Sequence, residues 1–210
     1  MALAKYHAKR NFKVTPEPKG FAAVRTAARE LSFVVQKHQA SHLHYDFRLE
    51  WKGVLLSWAV PKGPSMDPAV KRLAMAVEDH PVDYGGFEGI IPEGQYGGGT
   101  VMVWDRGVWI PESADVGAAL RKGELKFTLQ GSKLKGSWVL VRTKGTGTSP
   151  RSAWLLIKHK DRYASTQDIA TTKPRSAISK RLMAEIAASS GGNVIKAAKS
   201  DPARVHANVR

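Results

Sequence analysis

The amino-acid sequence predicts a mainly β fold, namely a compact antiparallel β-barrel with short helices and basic flanking arms. Short stretches of alternating apolar and polar residues recur between residues 31 and 163, and this alternation is the period of a half-buried strand. Proline and glycine separate the stretches, notably at 61–64 and 97–99, where tight turns are expected. We therefore divide the 210 residues into a basic extension (1–30), a β-barrel domain (31–163) and a basic tail (164–210).

Seven segments of the barrel domain carry the strand pattern. The first two, Leu43–Trp51 and Val54–Val60, flank Lys52-Gly53, a pair of residues typical of a hairpin turn. The five remaining strands are expected at 71–78, 100–104, 124–129, 137–142 and 154–158. In the tail, apolar residues recur at four-residue spacing before a pair of glycines, which predicts one helix over 176–189 that packs on the barrel domain.

Charge is concentrated in the two flanks. The chain has 33 basic and 18 acidic side chains, a formal net charge of +15 and a pI near 10.1. Residues 1–30 hold 7 basic and 2 acidic side chains, a net +5, and residues 164–210 hold 8 and 3, again +5. A field of this sign attracts polyanions, so nucleic acid is the first partner to consider. The arms are either solvated and mobile or in contact with nucleic acid, and both possibilities stay open.

The absence of cysteine excludes several classes of protein. Disulfide scaffolds, zinc fingers, iron–sulfur proteins and cysteine-nucleophile enzymes all need thiols, and a chain without thiols suits a reducing compartment. No apolar run approaches the length of a membrane span, and the N-terminus lacks the apolar stretch of a secretory signal. We expect a cytoplasmic, nucleoid-associated protein with no membrane partner.

The first predicted strand has an ionisable face. Because alternate side chains of a strand share a face, one side of Leu43–Trp51 is apolar. The other side carries only ionisable groups, which are His42, His44, Asp46, Arg48 and Glu50. His38 lies just upstream and can fold over the same face. Imidazoles and a carboxylate suit Mn²⁺, Zn²⁺ or Fe²⁺, and a neighbouring arginine suits an anion bound to the metal. His42 is in phase with this group but is equally compatible with a position in solvent.

The strand predicted at 71–78 repeats this arrangement. The polar side and its continuation comprise Arg72, Ala74, Ala76, Glu78 and His80, whereas Leu73, Met75 and Val77 fall on the apolar side. The two small alanines either leave room for a ligand beside the charged groups or relieve crowding between strands. Together the two polar rows predict one site for a metal ion and a phosphate, formed by neighbouring strands.

Other catalytic motifs do not fit the sequence. The glycine-rich residues 94–99 precede β-type sequence instead of a helix and lack the Lys-Ser/Thr of a phosphate-binding loop, so they predict a turn. Ser57 does not lie in a Gly-x-Ser-x-Gly nucleophile elbow. The Lys-x-Asp-Gly motif of nucleotide-accepting ligases is absent from the sequence.

Residues 38–50 resemble the 3'-phosphoesterase domain of bacterial DNA ligase D. The resemblance continues through residues 57–64, 72–74, 77–81, 84, 87–89, 91–97, 103–107 and 154–158. It implies a stand-alone β-barrel enzyme that uses Mn²⁺ to trim DNA 3' ends in double-strand break repair by non-homologous end joining. Such an enzyme removes a 3'-terminal ribonucleoside, which leaves a 3'-phosphate, and then removes that phosphate to leave a 3'-hydroxyl.

The resemblance also implies roles for individual residues and for partners. His38, His44 and Asp46 become the metal ligands. The catalytic and phosphate-binding residues become Arg48, Arg72 and His80, with Glu78, Tyr84, Ser57 and Lys62 as supporting residues of the site. The substrates would be the 3' ends of DNA primer-templates, including ribonucleotide-terminated ends. Ku, a ligase and a polymerase would act as partners in trans.

Two other functions compete with this one. A His-x-Asp pair with a later histidine is also the pattern of iron-dependent oxygenases, but that function leaves Arg48, Arg72 and the positive charge without a purpose. A non-catalytic OB-like module would bind nucleic acid through the same histidines and arginines. It would stack bases on tryptophans, of which the candidates are Trp58, Trp104, Trp109 and Trp138.

Overall fold

A computed structural model describes residues 3–20, 30–143 and 153–203. The strands in these ranges are β1 Ser32–Gln39, β2 Leu43–Trp51, β3 Val54–Val60, β4 Lys71–Ala76, β5 His80–Pro81, β6 Gly89–Ile91, β7 Gly99–Pro111, β8 Glu124–Gly131, β9 Lys135–Arg142 and β10 Ala153–Lys158. The helices are α1 Ala4–Ala8, α2 Val116–Lys122, α3 Ile169–Thr172, α4 Met183–Ser189, α5 Val194–Ala198 and a 3₁₀ helix at Val82–Gly86. Within the described ranges, none of these helices is long and apolar enough to span a membrane.

Eight antiparallel strands close into a barrel. Their order around the ring is β1-β2-β3-β4-β10-β9-β8-β7. The ring closes because β7 also pairs with β1, from Val108 opposite Ser32 to Thr100 opposite Gln39. Two short strands lie outside the ring, since β5 pairs with β3 and β6 pairs with β7. The predicted mainly β barrel with short helices is therefore confirmed.

The strand predictions succeed where one face of a strand is apolar and the other polar. The bounds of β2 and β3 are those predicted. β4 ends at Ala76, two residues before the predicted end, and β7 extends to Pro111, well beyond it. β1 was not predicted, and it has six consecutive buried residues. A strand covered on both faces lacks the simple alternation that marks a half-buried one.

The two faces of β1 and β2 enter different environments. Phe33, Val35 and Phe47 point into the barrel and join the main apolar cluster. Val34 points to the outside of the barrel, where it joins a smaller apolar cluster with Tyr6 of α1. The ionisable row of β2 shares this outer side, because it alternates with the inward apolar residues. The outer wall at β1 and β2 is therefore covered by other parts of the chain.

Both arms pack against the barrel along their described residues. Tyr6 of α1 is buried on the outer wall, whereas Met183 and Ile186 of α4 are buried in the main apolar cluster. The buried ammonium of Lys37 donates a hydrogen bond to the Ser200 carbonyl and so ties the tail to the barrel. The structure thus favours packed arms over mobile ones for these residues. The domain boundaries and contact with nucleic acid stay predictions.

The helix predicted over 176–189 was wrong in its first half, because α4 spans only Met183–Ser189. Upstream, the Ser176 hydroxyl accepts hydrogen bonds from two of the backbone N–H groups that follow it, and Lys180 has a φ of 63°. A side chain that binds the backbone N–H groups competes with the helix, and a left-handed residue interrupts it. The described tail contains three short helices instead of one.

The tryptophans considered for base stacking belong to the interior. The exposed fractions of Trp58, Trp104, Trp109 and Trp138 are 3%, 0%, 1% and 0%. A ring buried in the barrel cannot stack on a nucleotide base. The prediction that these tryptophans form the base-stacking surface of an OB-like module was therefore wrong.

Candidate metal and phosphate site

The ionisable row of β2 lines a cleft on the outer wall of the barrel. In the β1–β2 pairing, His38 lies opposite His44 and Gln36 lies opposite Asp46, so both strands supply polar side chains to one face. We call this space, of about 270 Å³, the outer cleft. Its lining includes Arg10, His38, His44, Asp46, Arg48, Glu78, His80, Tyr84, Tyr96 and Gly97.

Two imidazoles and one carboxylate meet at the floor of the outer cleft. The Asp46 Oδ2 atom lies 3.6 Å from Nδ1 of His38 and 3.7 Å from Nε2 of His44. One potential ligand atom from each of these residues falls within 4.8 Å of the others. Nitrogen and carboxylate donors at this separation fit a borderline divalent ion such as Mn²⁺.

Hydrogen bonds set the orientation of both imidazole rings. Nε2 of His38 lies 2.7 Å from the Gly97 carbonyl oxygen, and Nδ1 of His44 lies 3.0 Å from the His42 carbonyl oxygen. Because a carbonyl only accepts, each of these ring nitrogens carries the proton. The lone pairs of His38 Nδ1 and His44 Nε2 are then free on the side of Asp46. Such partners beyond the ligands fix the tautomer of a metal-binding histidine.

The ionisation of Asp46 matches the role of a metal ligand. Burial by itself would raise the pKa of this carboxyl, but the charge of Arg48 and the neighbouring His38 and His44 outweigh burial and hold the pKa well below its usual range. The carboxylate is therefore ionised across the physiological pH range. His44 behaves in the opposite way, since burial lowers its pKa in spite of Asp46 and favours the neutral ring that binds metal.

Arg48 is fixed beside the metal-binding group by three partners. Its Nε donates to Oε1 of Gln36 and its Nη1 to Oγ of Ser57, both at 2.8 Å. Its Nη2 lies 3.3 Å from Oδ2 of Asp46, and its guanidinium carbon lies 5.0 Å from the ring centre of Tyr84. A guanidinium held in this way presents its charge to the cleft without further reorganisation.

His80 and Tyr84 also line the outer cleft, with ring centres 4.8 Å apart. Nδ1 of His80 lies 2.9 Å from the Glu78 carbonyl oxygen, so it donates, and Nε2 accepts from Nη2 of Arg10 at 3.1 Å. Burial, with the charges of Arg48 and Arg10, lowers the pKa of His80 well below its usual value. Burial raises the pKa of Tyr84 well above its usual value. Both rings are therefore uncharged at neutral pH.

A comparison with known families decides which chemistry this arrangement belongs to. Residues 36–142, more than half of the chain, match the family model of the DNA Ligase D 3'-phosphoesterase domain. The chain belongs to this family. It is thereby a phosphoesterase, which is a hydrolase, and the resemblance inferred from the sequence is confirmed.

The relatives of this phosphoesterase are larger proteins. The multifunctional non-homologous end joining protein LigD of Pseudomonas aeruginosa is 52% identical over 184 residues, which are 86% of this chain and 22% of that protein. The protein of the same name from Mycolicibacterium smegmatis is 40% identical over 174 residues, 80% of this chain and 22% of that protein. The multifunctional non-homologous end joining DNA repair protein LigD of Mycobacterium tuberculosis is 43% identical over 143 residues, 68% of this chain and 18% of that protein. The chain thus spans about a fifth of the length of these relatives.

The basic extension (1–30), which we call the leader, supplies site residues that the sequence did not reveal. Arg10 reaches His80 and also contacts carboxylate oxygens of Glu17 at 3.0 Å and Glu78 at 3.4 Å. Lys9 forms a second ion pair with Glu78 at 2.9 Å. No local pattern signals these contacts, because the Arg10 and Glu78 side chains are 68 residues apart in the chain. Gln36 was detectable in principle, since it precedes His38 by two residues and shares its face of β1.

The structure does not bring all the predicted residues of this phosphoesterase together. Arg72 and Lys62 line a different cleft at the end of the barrel, so their predicted phosphate contacts stay predictions. The interpretation that Arg72 shares a strand face with Glu78 and His80 was wrong, because β4 ends at Ala76 before the chain reaches them. The side predicted to be apolar is partly exposed, with Leu73 46% exposed. Glu78, His80, Tyr84 and Ser57 do lie at or beside the outer cleft.

His42 does not belong to the metal-binding group. Its side chain is exposed, and among the described residues the grouped metal donors are His38, His44 and Asp46. Its carbonyl nevertheless orients His44, as stated above. His42 is also absent from the lining of the outer cleft.

Proposed function

We propose that the chain is a Mn²⁺-dependent phosphoesterase that processes the 3' ends of DNA. It removes 3'-terminal ribonucleosides and 3'-phosphates and leaves a 3'-hydroxyl, on ends that non-homologous end joining later seals. It acts in the cytoplasm at the nucleoid, with Ku, a ligase and a polymerase as partners in trans. The family supports phosphoesterase chemistry, and the names of the relatives support the end-joining context.

The observation that carries the proposal is the contact between a metal-binding group and a fixed arginine. Nη2 of Arg48 lies 3.3 Å from the carboxylate of Asp46, which also faces His38 and His44. A phosphate bound at this position would meet the metal and the guanidinium together. We favour phosphate chemistry because the guanidinium suits a bound phosphate and because the matched family is a phosphoesterase domain.

The metal would be held by His38, His44 and Asp46. When bound, it supplies Lewis acidity toward a phosphate oxygen and a water of lowered pKa. Arg48 meets the negative charge that develops on the phosphoryl oxygens, and its three partners keep it in place as that charge grows. Removal of one fixed donor of this kind costs about 2.7–4 kcal/mol of transition-state stabilisation.

Tyr84 and His80, which also line the outer cleft, orient the terminal phosphate. The phenol of Tyr84 keeps its proton at neutral pH, because burial raises its pKa, so it donates a hydrogen bond to a phosphate oxygen. His80 accepts a hydrogen bond from Arg10 and so holds a second guanidinium in the lining of the outer cleft. The donors available to the anion are therefore Arg48, Tyr84 and Arg10, all of which line the outer cleft.

The function is tested on a labelled primer-template that carries one 3'-terminal ribonucleotide. With Mn²⁺ we expect a shortened product with a 3'-phosphate, followed by a 3'-hydroxyl, and we expect neither product when EDTA replaces the metal. Unchanged products in EDTA, or no product in Mn²⁺, contradict the proposal. Retention of DNA binding without product in either condition identifies a non-catalytic binding module instead.

A further inference from the structure

A second group of basic side chains lies at one end of the barrel, where the β8–β9 turn faces the tail. It lines a cleft of about 320 Å³, which we call the tail cleft. The polar groups of its lining that matter here are Lys133, Lys135, Lys173, Ser165, Gln167 and Thr172. The chemistry of the outer cleft uses none of them.

The lining of the tail cleft carries an excess of positive charge. No acidic side chain occurs in the lining of the cleft, as far as the described part of the chain extends. Lys135 and Lys173 are exposed, and neither ammonium forms an ion pair within the ranges that the structure describes. Lys133 is directed inward, where its Nζ donates to the carbonyls of Trp104 and Arg175.

Neighbouring lysines also act on Lys133. Burial is the first cause that lowers the pKa of Lys133 to about 8, and the charges of Lys180, Lys173 and Lys37 lower it further against the single opposing carboxylate of Asp105. The neighbouring ammonium groups create a positive potential at Lys133 that a bound anion would relieve. The cleft is thus prepared electrostatically for a polyanion.

A third cleft is lined by chain segments that also line the outer cleft on one side and the tail cleft on the other. The β1–β2 turn separates the outer cleft, which contains Ser41 and His44, from the cleft at the end of the barrel that contains Leu43, Lys62 and Arg72. Helix α3 in turn lies between that cleft and the tail cleft, since Ala170 and Thr171 line the former and Ile169 and Thr172 line the latter. Lys62 and Arg72 therefore place basic side chains between the outer cleft and the tail cleft, in a lining that also contains Asp168 and Asp201.

We propose that the tail cleft binds the phosphate backbone of duplex DNA, at a point remote from the 3' end that occupies the outer cleft. The proposal rests on the proposed function for the identity of the polyanion. Lysine ammonium groups with hydroxyl and amide neighbours make backbone contacts that do not depend on base sequence. Each such contact releases counterions and steepens the dependence of affinity on salt. The tail cleft thus holds the duplex, whereas the outer cleft acts on its end.

The test compares two pairs of charge reversals. The first variant is Lys135→Glu with Lys173→Glu, and the control is Lys122→Glu with Lys126→Glu. The control residues are also exposed lysines, but they lie on α2 and at the start of β8, at the opposite end of the β8–β9 hairpin. Truncation of residues 164–210 is unsuitable, because α4 contributes buried residues to the main apolar cluster.

Affinity is measured over a range of salt concentrations on a fluorescent primer-template of about 24 base pairs, without Mn²⁺. The tail-cleft variant should lose roughly 10-fold to 100-fold in affinity at 0.1 M salt, and the slope of log K against log salt should fall by about 2. Its kcat at saturating DNA with Mn²⁺ should equal that of the wild type. The control should keep the wild-type slope. Thermal unfolding of each variant shows that the exposed substitutions leave the fold intact.

Two results would overturn the proposal: a wild-type slope in the tail-cleft variant, or an equal loss in the control. The proposed function fails separately. If the wild type releases no product with Mn²⁺ but binds DNA, the enzyme assignment is wrong, and the salt slopes still decide whether the tail cleft binds the backbone.

Discussion

The outer cleft and the tail cleft both collect positive charge, but they hold it in different ways. In the outer cleft Arg48 is 2% exposed and bound by Gln36, Ser57 and Asp46. In the tail cleft Lys135 is exposed in water. A buried guanidinium fixed on three sides stabilises charge at one position, whereas an ammonium on a flexible stem attracts any phosphate that approaches. In the function that we propose, the chemistry and the general attraction for DNA therefore occupy separate parts of the surface.

The largest expected effect tests the metal-binding side of this comparison. His44→Ala removes a nitrogen ligand of the metal. Mutation of a residue that only hydrogen-bonds to a metal ligand typically costs 10-fold to 100-fold, so the loss of the ligand itself should lower the rate of 3'-phosphate release by well over 100-fold. His42→Ala is the matched control, since it removes an exposed ring two residues away and preserves the carbonyl that orients His44. The rates are compared at saturating Mn²⁺. A nearly wild-type rate in His44→Ala would remove the metal site from the account.

A somewhat smaller effect is expected for Arg48. Arg48→Ala should reduce kcat by about 10²–10³, equivalent to about 2.7–4 kcal/mol, and Arg48→Lys should not restore it. An ammonium cannot make the directional bonds to Gln36 and Ser57 while it also faces Asp46. Single-turnover rates measure the effect. Full activity in Arg48→Lys would mean that charge alone matters, as we propose for the tail cleft.

The smallest expected effect concerns the leader, which supplies Arg10 to the lining of the outer cleft and no described residue to the lining of the tail cleft. Burial by itself would raise the pKa of Glu78, but hydrogen bonds from Lys9 and the backbone, with the charges of Lys9 and Arg10, lower it below the usual 4.5. Because the pKa of Glu78 is lower when the leader is docked, its carboxylate stabilises the docked leader at any pH above the ordinary pKa of a glutamate. This contribution is lost as the pH falls through the lowered pKa.

Hydrogen exchange of the leader amides measures this contribution. Protection of residues 3–20 should decrease in the wild type as pH falls below about 4.5, after correction for the intrinsic exchange rates. Glu78→Gln should show weaker protection at neutral pH and little of this pH dependence. Identical profiles in the two proteins would show that the ion pairs with Lys9 and Arg10 do not hold the leader.

The elements that could be predicted are those in which local pattern and environment agree. The bounds of β2 and β3 followed from alternation on either side of a turn. The same alternation predicted that His44, Asp46 and Arg48 share one face, and the structure agrees, because each of them lines the outer cleft. In this strand one face enters the barrel and the other enters the cleft, so the sequence pattern alone contains the necessary information.

The remainder depended on contacts between distant parts of the chain. The position of Arg10 follows from the packing of α1 on the outer wall, where Tyr6 is buried. The tail helix began late because Lys180 adopts a left-handed conformation, which apolar spacing does not indicate. The shared face of Arg72, Glu78 and His80 was wrong because the strand period was continued past Ala76, where β4 ends. In each case tertiary packing decided the outcome.

Anomalous diffraction from crystals grown with Mn²⁺ tests whether His38, His44 and Asp46 bind the metal. We expect one strong peak at the manganese edge in the outer cleft, within bonding distance of His38 Nδ1, His44 Nε2 and Asp46 Oδ2. The peak should be absent from crystals of Asp46→Ala grown in the same way. A peak elsewhere on the protein, or an empty outer cleft at saturating Mn²⁺, would contradict the account.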